Sequence, residues 1–177
     1  MNQYKFQKTK ETAEVFEDAG IKYRYIEKPD SEALEAVFHV DNVPDFSAYF
    51  IFRGEDAPVG IRIFDIVQNV SKDRQSRVLE ACNILNCTVR FLKFILNEDG
   101  SVELVYDIPS LNSGRETGEI AIGFLIGTLK VLDEQYAFLM KAVFSDEPLS
   151  ESDLDSGQQT EGKLTLPAAH PDPGLLS

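Results

Sequence analysis

The chain has 177 residues, of which 43% are hydrophobic, 27% charged and 10% aromatic, enough apolar material for one packed domain. Its 30 acidic and 17 basic residues leave a net charge of −13. A surface of that sign repels phosphate backbones and anionic lipid headgroups, so we predict that neither nucleic acid nor a membrane surface is a partner.

Neither the first residues nor the apolar stretches carry a targeting signal. Residues 1–7 lack the basic segment and apolar run of a secretion signal. The longest apolar stretch, residues 120–129, spans ten residues, whereas a membrane-spanning helix needs about 20.

Cys82 and Cys87 lie five residues apart in a predicted helix, which turns them about 140° from each other and prevents a disulfide between them. Two free thiols are typical of a reducing compartment, so we expect a cytoplasmic protein.

The spacing of apolar residues in the first half of the chain predicts one helix followed by strands. The spacing of Phe6, Ala13 and Phe16 indicates an amphipathic helix over residues 4–19, and Gly20 is a natural stop. Apolar residues then recur at every second position, which indicates strands with one buried face and one face more exposed to solvent. The predicted strands form an antiparallel meander over residues 21–28, 34–40, 48–53 and 59–67.

The second half again begins with a helix. Ser71 is placed to cap a helix over residues 72–86 with its hydroxyl group. A hairpin is predicted next, with strands over residues 88–96 and 101–108. Residues 119–144 carry apolar side chains on most faces, which predicts a long and largely buried helix. The predicted fold class is α+β, in the order helix, four strands, helix, two strands, long helix.

Composition changes after this last helix. Residues 146–177 contain seven acidic residues, one Lys, four Pro, three Gly and no aromatic residue. A segment of this kind buries too little apolar surface to fold alone. We therefore predict a domain over residues 1–145 and a flexible acidic tail over residues 146–177.

The residue types that carry catalysis are scarce. His39 lies in a predicted strand and His170 in the tail, so a histidine-based catalytic pair is not expected. The sequence has no phosphate-binding loop, no dinucleotide fingerprint and no nucleophile elbow, and its cysteines lack zinc-site spacing. Asp65 and Asp107 are two strand carboxylates without an identified acid, base or pocket. We predict no catalytic residue, no metal and no cofactor.

Four residues are candidates for contact with a partner or with a second copy of the chain. Gly123 and Gly127 lie four apart on the long helix and permit close approach of another backbone. Packing within the monomer and a dimer contact both satisfy that spacing. Arg90 and Lys93 are cations in an otherwise apolar predicted strand, which indicates an exposed strand face or a contact with an acidic ligand.

Four segments of the chain, all within residues 77–140, have a distinctive sequence: they are residues 77–86, 89–94, 98–102 and 132–140. They resemble the YbjN family of bacterial proteins, and the resemblance covers most of residues 5–141. It implies a fold similar to that of type III secretion chaperones, with helices packed on one side of a twisted antiparallel sheet. It also implies a sensory transduction regulator or chaperone-like protein that acts through protein contacts, without a cofactor.

The sequence leaves three hypotheses for the function of the protein. The leading hypothesis is a non-catalytic adaptor, chaperone-like protein or regulator that holds a segment of another protein on its sheet face, strand edge or an apolar groove, either alone or as a homodimer. The alternative is a small-molecule-binding sensory regulator with its ligand between the sheet and the long helix. An enzyme is the third hypothesis, and it requires a carboxylate such as Asp65 or Asp107 to lie in a cleft with a perturbed pKa.

Overall fold

The computed structural model describes residues 4–40, 43–110, 113–150 and 154, except the side chain of residue 40. Within residues 4–40, 43–110 and 113–150, three helices and six strands follow one another in the predicted order. The elements are α1 (Gln7–Asp18), β1 (Arg24–Lys28), β2 (Ser31–Val40), β3 (Val43–Phe52), β4 (Val59–Val67), α2 (Gln75–Thr88), β5 (Lys93–Leu96), β6 (Val102–Ile108) and α3 (Gly114–Phe144).

The strands form one antiparallel sheet in the order β1-β2-β3-β4-β6-β5. The predicted meander of the first four strands and the predicted hairpin of the last two are confirmed. The last strand of the chain, β6, joins the two groups, because Val59 of β4 pairs with Ile108. Strand β5 is therefore an edge of the sheet, and β1 is the other edge.

The core lies between the sheet and a layer of three helices. Phe50 in the centre of the sheet is fully buried, and its ring meets that of Phe16 from α1 edge-on at 4.9 Å. Leu125 and Leu132 on the inner side of α3 are also buried. Burial of these apolar side chains is the main free-energy term that holds helices to sheet. The predicted α+β class, with helices packed on one side, is confirmed.

Helix α2 begins and ends later than predicted, and the strand that follows it begins later as well. The backbone carbonyl of Ser71, and not its hydroxyl, accepts hydrogen bonds from the N–H groups of Arg74 and Gln75, at 2.9 and 3.1 Å. The helix continues to Thr88, whose hydroxyl donates to the carbonyl of Leu85 at 2.9 Å. Strand β5 consequently begins only at Lys93.

Helix α3 begins five residues earlier than predicted, at Gly114. The hydroxyl of Ser113 accepts the N–H of Glu116 at 3.1 Å and caps the helix. Gly114 and Gly118 at the start of this helix are poor helix formers. They are tolerated because α1 packs directly against them: a Cβ atom on Gly118 would lie 2.8 Å from the Cβ of Val15.

The beginning of the predicted tail contacts the domain. The guanidinium of Arg74 lies 2.7 Å from the carboxylate of Asp146 and donates to the carbonyl of Ser145 at 3.2 Å. Leu149 packs partly buried against the core, and Leu154 is buried. The remainder of the predicted tail, residues 151–153 and 155–177, lies outside the described residues.

Candidate functional site: the uncovered face of the sheet

Side chains in each strand alternate between the face that packs on the helices and the opposite face, which we call the uncovered face. In the described part of the chain, all three helices pack on the other side. Strand register aligns one residue from each of the six strands in a line across the uncovered face, and we call this line the central row. Its members, from edge to edge, are Arg24, Glu35, Tyr49, Arg62, Val105 and Lys93.

The first half of the central row is a hydrogen-bonded network around Glu35. The guanidinium of Arg24 donates to this carboxylate at 2.6 Å, and the hydroxyl of Tyr49 donates at 2.7 Å. Burial by itself raises the pKa of Glu35, but the hydrogen bonds from Tyr49 and Arg24 together outweigh it and hold the pKa below its usual value. Glu35 is therefore a fixed anion on the sheet, 8% exposed.

The second half of the row is organised by Arg62. Its guanidinium donates to the carbonyls of Ile61 and Tyr106, at 2.8 and 2.9 Å, and lies 2.9 Å from the carboxylate of Asp107. Gly60 lies beneath this pair, since a Cβ at that position would be only 3.2 Å from the Asp107 carboxylate. These polar contacts hold Arg62 flat on the sheet and restrict its motion.

Exposed apolar side chains lie next to the central row. Val37 is 57% exposed, Phe64 43% and Ile95 39%. Each lies two residues after a member of the central row, on strands that run in the same direction, so all three lie on the same side of that row. The ring of Phe64 packs on Tyr49 at 5.4 Å between centroids. We call Val37, Phe64 and Ile95 the apolar row.

The structure separates the four residues that the sequence singled out. Lys93 ends the central row, and its ammonium group donates to the carbonyl of Asn86 at 3.1 Å. Arg90 is exposed in the bend between α2 and β5, so the prediction that it shares a strand with Lys93 is wrong. Gly123 and Gly127 lie on the exposed side of α3, and a Cβ on either would meet no atom within 4 Å.

The other predicted chemical groups also lie apart. Asp65 and Asp107 are both exposed, and the residue opposite Asp107 is Gly60, five positions before Asp65 on β4. The Nδ1 atom of His39 lies 2.6 Å from the carboxylate of Asp45 on the surface, whereas His170 lies outside the described residues. Within residues 4–40, 43–110, 113–150 and 154, no three His, Cys, Asp or Glu side chains are placed to hold a metal.

Comparison with known proteins supplies the family. The model of the YbjN family, described as "Putative bacterial sensory transduction regulator", matches residues 11–121, which is more than half of the chain. The chain belongs to the YbjN family. Neither a curated protein nor a solved structure matches it. The expected similarity to type III secretion chaperones therefore stays a prediction.

The YbjN match contains the whole sheet and ends early in α3. Both rows of the uncovered face lie within residues 11–121, whereas Gly123, Gly127 and the similar segment at residues 132–140 follow the end of the match. None of the described helices, α3 included, is long and apolar enough to cross a membrane.

Sequence reasoning did not single out Glu35, Tyr49, Val37 or Phe64. The period-two alternation of β2 and β4 is the signal that places their residues on a face. Assembling the rows additionally requires the register between strands that are far apart in sequence, such as Arg62 opposite Val105. That information is not present in any single segment.

A cleft of about 810 Å³ lies beside α1 and not between the sheet and the long helix. Tyr4, Tyr23 and Glu17 line it and form a chain of hydrogen bonds, at 2.8 Å between the two hydroxyls and 2.6 Å to the carboxylate. At the predicted ligand position, Leu125 of α3 and Ile61 of the sheet are buried core side chains. The small-molecule hypothesis stays a prediction.

Proposed function

We propose that this YbjN protein is a cytoplasmic, non-catalytic regulator that binds another protein on the uncovered face of its sheet. The observation that carries the proposal is the apolar row, three exposed apolar side chains on β2, β4 and β5 that lie on one side of the central row. The strands between them place Ser47 opposite Val37 and Glu103 opposite Ile95, so apolar and polar groups alternate along this row. Exposed apolar groups rimmed by polar residues are a feature of protein interaction surfaces.

The arrangement has the composition of a protein-binding surface. Tyr and Arg are enriched where binding energy concentrates, and Tyr49 and Arg62 occupy the centre of the face. The hydrogen bonds of Tyr49 and Arg62 are already present in the protein without a partner, so these side chains lose little conformational entropy on binding. Complete burial of one large apolar side chain contributes about 1.5–3 kcal/mol.

The partner segment that this face fits best is an amphipathic helix. The apolar row crosses the strands, and a helix laid along it presents one apolar stripe at every third or fourth position. Arg24 and Asp107 have side chains 71% and 57% exposed, and they supply charges of opposite sign at the border of the face. Charges at a border orient a partner more than they add affinity.

Site-specific photocrosslinking in the cells that produce the protein tests this proposal. A photoreactive amino acid is placed at Val37, Phe64 or Ile95 in three separate variants. We expect the same partner protein to be crosslinked from all three positions, with the crosslinked partner residues spaced as on one face of a helix. Purified partner is then expected to bind Val37→Glu and Phe64→Glu variants at least about tenfold more weakly.

The matched control is Leu79, an apolar residue of α2 that is 58% exposed and lies on the helix side of the molecule. Crosslinking from Leu79 is expected to yield different products or none. The proposal fails if Leu79 captures the same protein as the apolar row, or if no partner is crosslinked from the apolar row.

A further inference from the structure

The segment that follows α3 returns to the domain and contacts α2. We call residues 145–150 of this segment the strap. Its side chains Asp146 and Glu147 are exposed carboxylates, whereas Leu149 packs partly buried against the core and Leu154 beyond it is buried. The strap therefore combines a pair of acidic residues with an apolar anchor.

Three cations from the start of α2 and the end of α3 contact the strap, and we call them the cation cluster: Arg74, Arg77 and Lys141. The guanidinium of Arg74 lies 2.7 Å from the carboxylate of Asp146. The ammonium group of Lys141 lies 3.5 Å from the carboxylate of Glu147. A local concentration of positive charge attracts an acidic segment even in a protein whose net charge is −13.

The strap binds Arg77 only in part. One terminal nitrogen of this guanidinium donates to the backbone carbonyl of Glu147. Its Nε atom is buried, and it has no hydrogen-bond acceptor in the part of the chain that the structure describes. A guanidinium matches a carboxylate through two parallel hydrogen bonds, one of which Nε can donate. The strap offers Arg77 a neutral carbonyl in place of a carboxylate, so it uses the cation cluster incompletely.

We propose that the cation cluster is a second protein-binding surface, for an acidic segment of a partner protein that also carries an apolar anchor, and that the strap occupies this surface within the chain. The strap has this chemistry itself, since Leu149 follows Asp146 by three residues. Because the strap is joined directly to α3, its effective concentration at the cluster is high, and a partner segment must compete with it. The cluster lies on α2 and α3, so the proposal does not depend on binding at the uncovered face.

Fluorescence anisotropy with a labelled synthetic peptide tests the proposal. The peptide has the sequence of residues 145–154 and is titrated into the purified full chain. The same titration uses an opened variant of the full chain, in which Asp146→Asn, Glu147→Gln and Leu149→Ser remove the contacts of the strap's own side chains. We expect the opened variant to bind the peptide at least about tenfold more tightly, because its strap no longer competes. This binding should weaken as the salt concentration rises, since salt screens exposed charges.

A charge reversal identifies the surface that binds the peptide. Arg74→Glu, added to the opened variant, is expected to weaken peptide binding at least about tenfold, since a carboxylate then faces the acidic peptide. Arg115→Glu is the matched control, because it makes the same charge change at an exposed position near the other end of α3. Phe64→Glu, on the uncovered face, separates this surface from the one proposed above. Both are expected to leave peptide binding unchanged, and circular dichroism verifies that each variant is folded.

Three outcomes overturn the proposal. The first is peptide binding that is equally tight in the opened variant and in the unmodified chain. The second is an opened variant that does not bind the peptide. The third is peptide binding that Arg74→Glu weakens no more than Arg115→Glu or Phe64→Glu does.

Discussion

The side-chain amide of Asn86 forms with Phe94 the two hydrogen bonds that a neighbouring strand would form. Its oxygen accepts the N–H of Phe94 at 2.7 Å, and its nitrogen donates to the carbonyl of Phe94 at 3.0 Å. Phe94 is in the middle of edge strand β5. The amide of Asn86 from α2 therefore occupies backbone N–H and carbonyl groups that a strand of another chain would need in order to pair with this edge. We therefore place partner binding on the uncovered face of the sheet and not at this edge.

Replacement of Asn86 by Ala should destabilise the domain by about 1–3 kcal/mol, because two backbone groups of β5 lose their partners. Chemical denaturation measures this loss, and hydrogen exchange should show faster exchange at the amide of Phe94. Asn83→Ala is the control, since Asn83 is exposed on the same helix. Equal losses in both variants would contradict the role that we assign to Asn86.

Replacement of Glu32 by Gln should destabilise the protein at neutral pH. This fully buried carboxylate accepts the N–H groups of Lys5 and Phe6 before α1 and the hydroxyl of Tyr25. Burial by itself raises its pKa, but the hydrogen bonds together prevail and the pKa is lowered. We expect a loss of about 2 kcal/mol, since hydrogen bonds to a charged group are the stronger kind.

The contribution of Glu32 to the free energy of unfolding should decrease as the pH falls. Because the pKa of Glu32 is lowered on folding, its contribution is fully present above the pKa of the unfolded chain and disappears as the pH falls through the folded value. The stability difference between the protein and Glu32→Gln should therefore shrink on acidification. Glu27→Gln, at a position 56% exposed, should show a difference near zero throughout. A Glu32→Gln difference that is independent of pH would contradict this prediction.

The same substitution at two glycines of α3 should have opposite effects. Gly114→Ala should destabilise the protein by about 1–3 kcal/mol, because the new Cβ meets the backbone of α1 at Lys8, whose Cα would be 2.8 Å away. Gly123→Ala should stabilise the protein by up to about 1 kcal/mol, since Ala favours the helix and no atom lies within 4 Å of the new Cβ. Thermal unfolding measures both, and a loss of stability in Gly123→Ala would contradict the exposed position of this residue.

The two cysteines should differ in reactivity. Cys82 is 1% exposed, and burial raises the pKa of its thiol to about 11, whereas Cys87 is exposed. Because the thiolate is the reactive form, a thiol reagent at pH 8 should modify one cysteine per folded chain and two after denaturation. Cys87→Ser should abolish the fast reaction, and rapid modification of the folded Cys87→Ser variant would contradict the described burial of Cys82.

Local patterns were sufficient for most elements but not for their ends. Alternation identified the four strands of the meander, since side chains on a strand point alternately to opposite faces whatever lies beside it. It missed the start of β3, which begins at Val43, five residues before the predicted strand, and pairs with β2. It also missed the start of α3, where Gly114 and Gly118 are poor helix formers that contact with α1 makes favourable.

Short segments of the sequence were sufficient to predict the α+β class, the order of helices and strands, the meander and hairpin, and the resemblance to YbjN proteins, because each depends on residues that are close together in the chain. The pairing of β6 with β4, which aligns Arg62 with Val105 and completes the central row, became known from the folded structure. The folded structure also shows which glycine pair of α3 is buried and which is exposed. Those outcomes depend on contacts between distant segments, whose register is selected by packing of the whole core and not by any local preference.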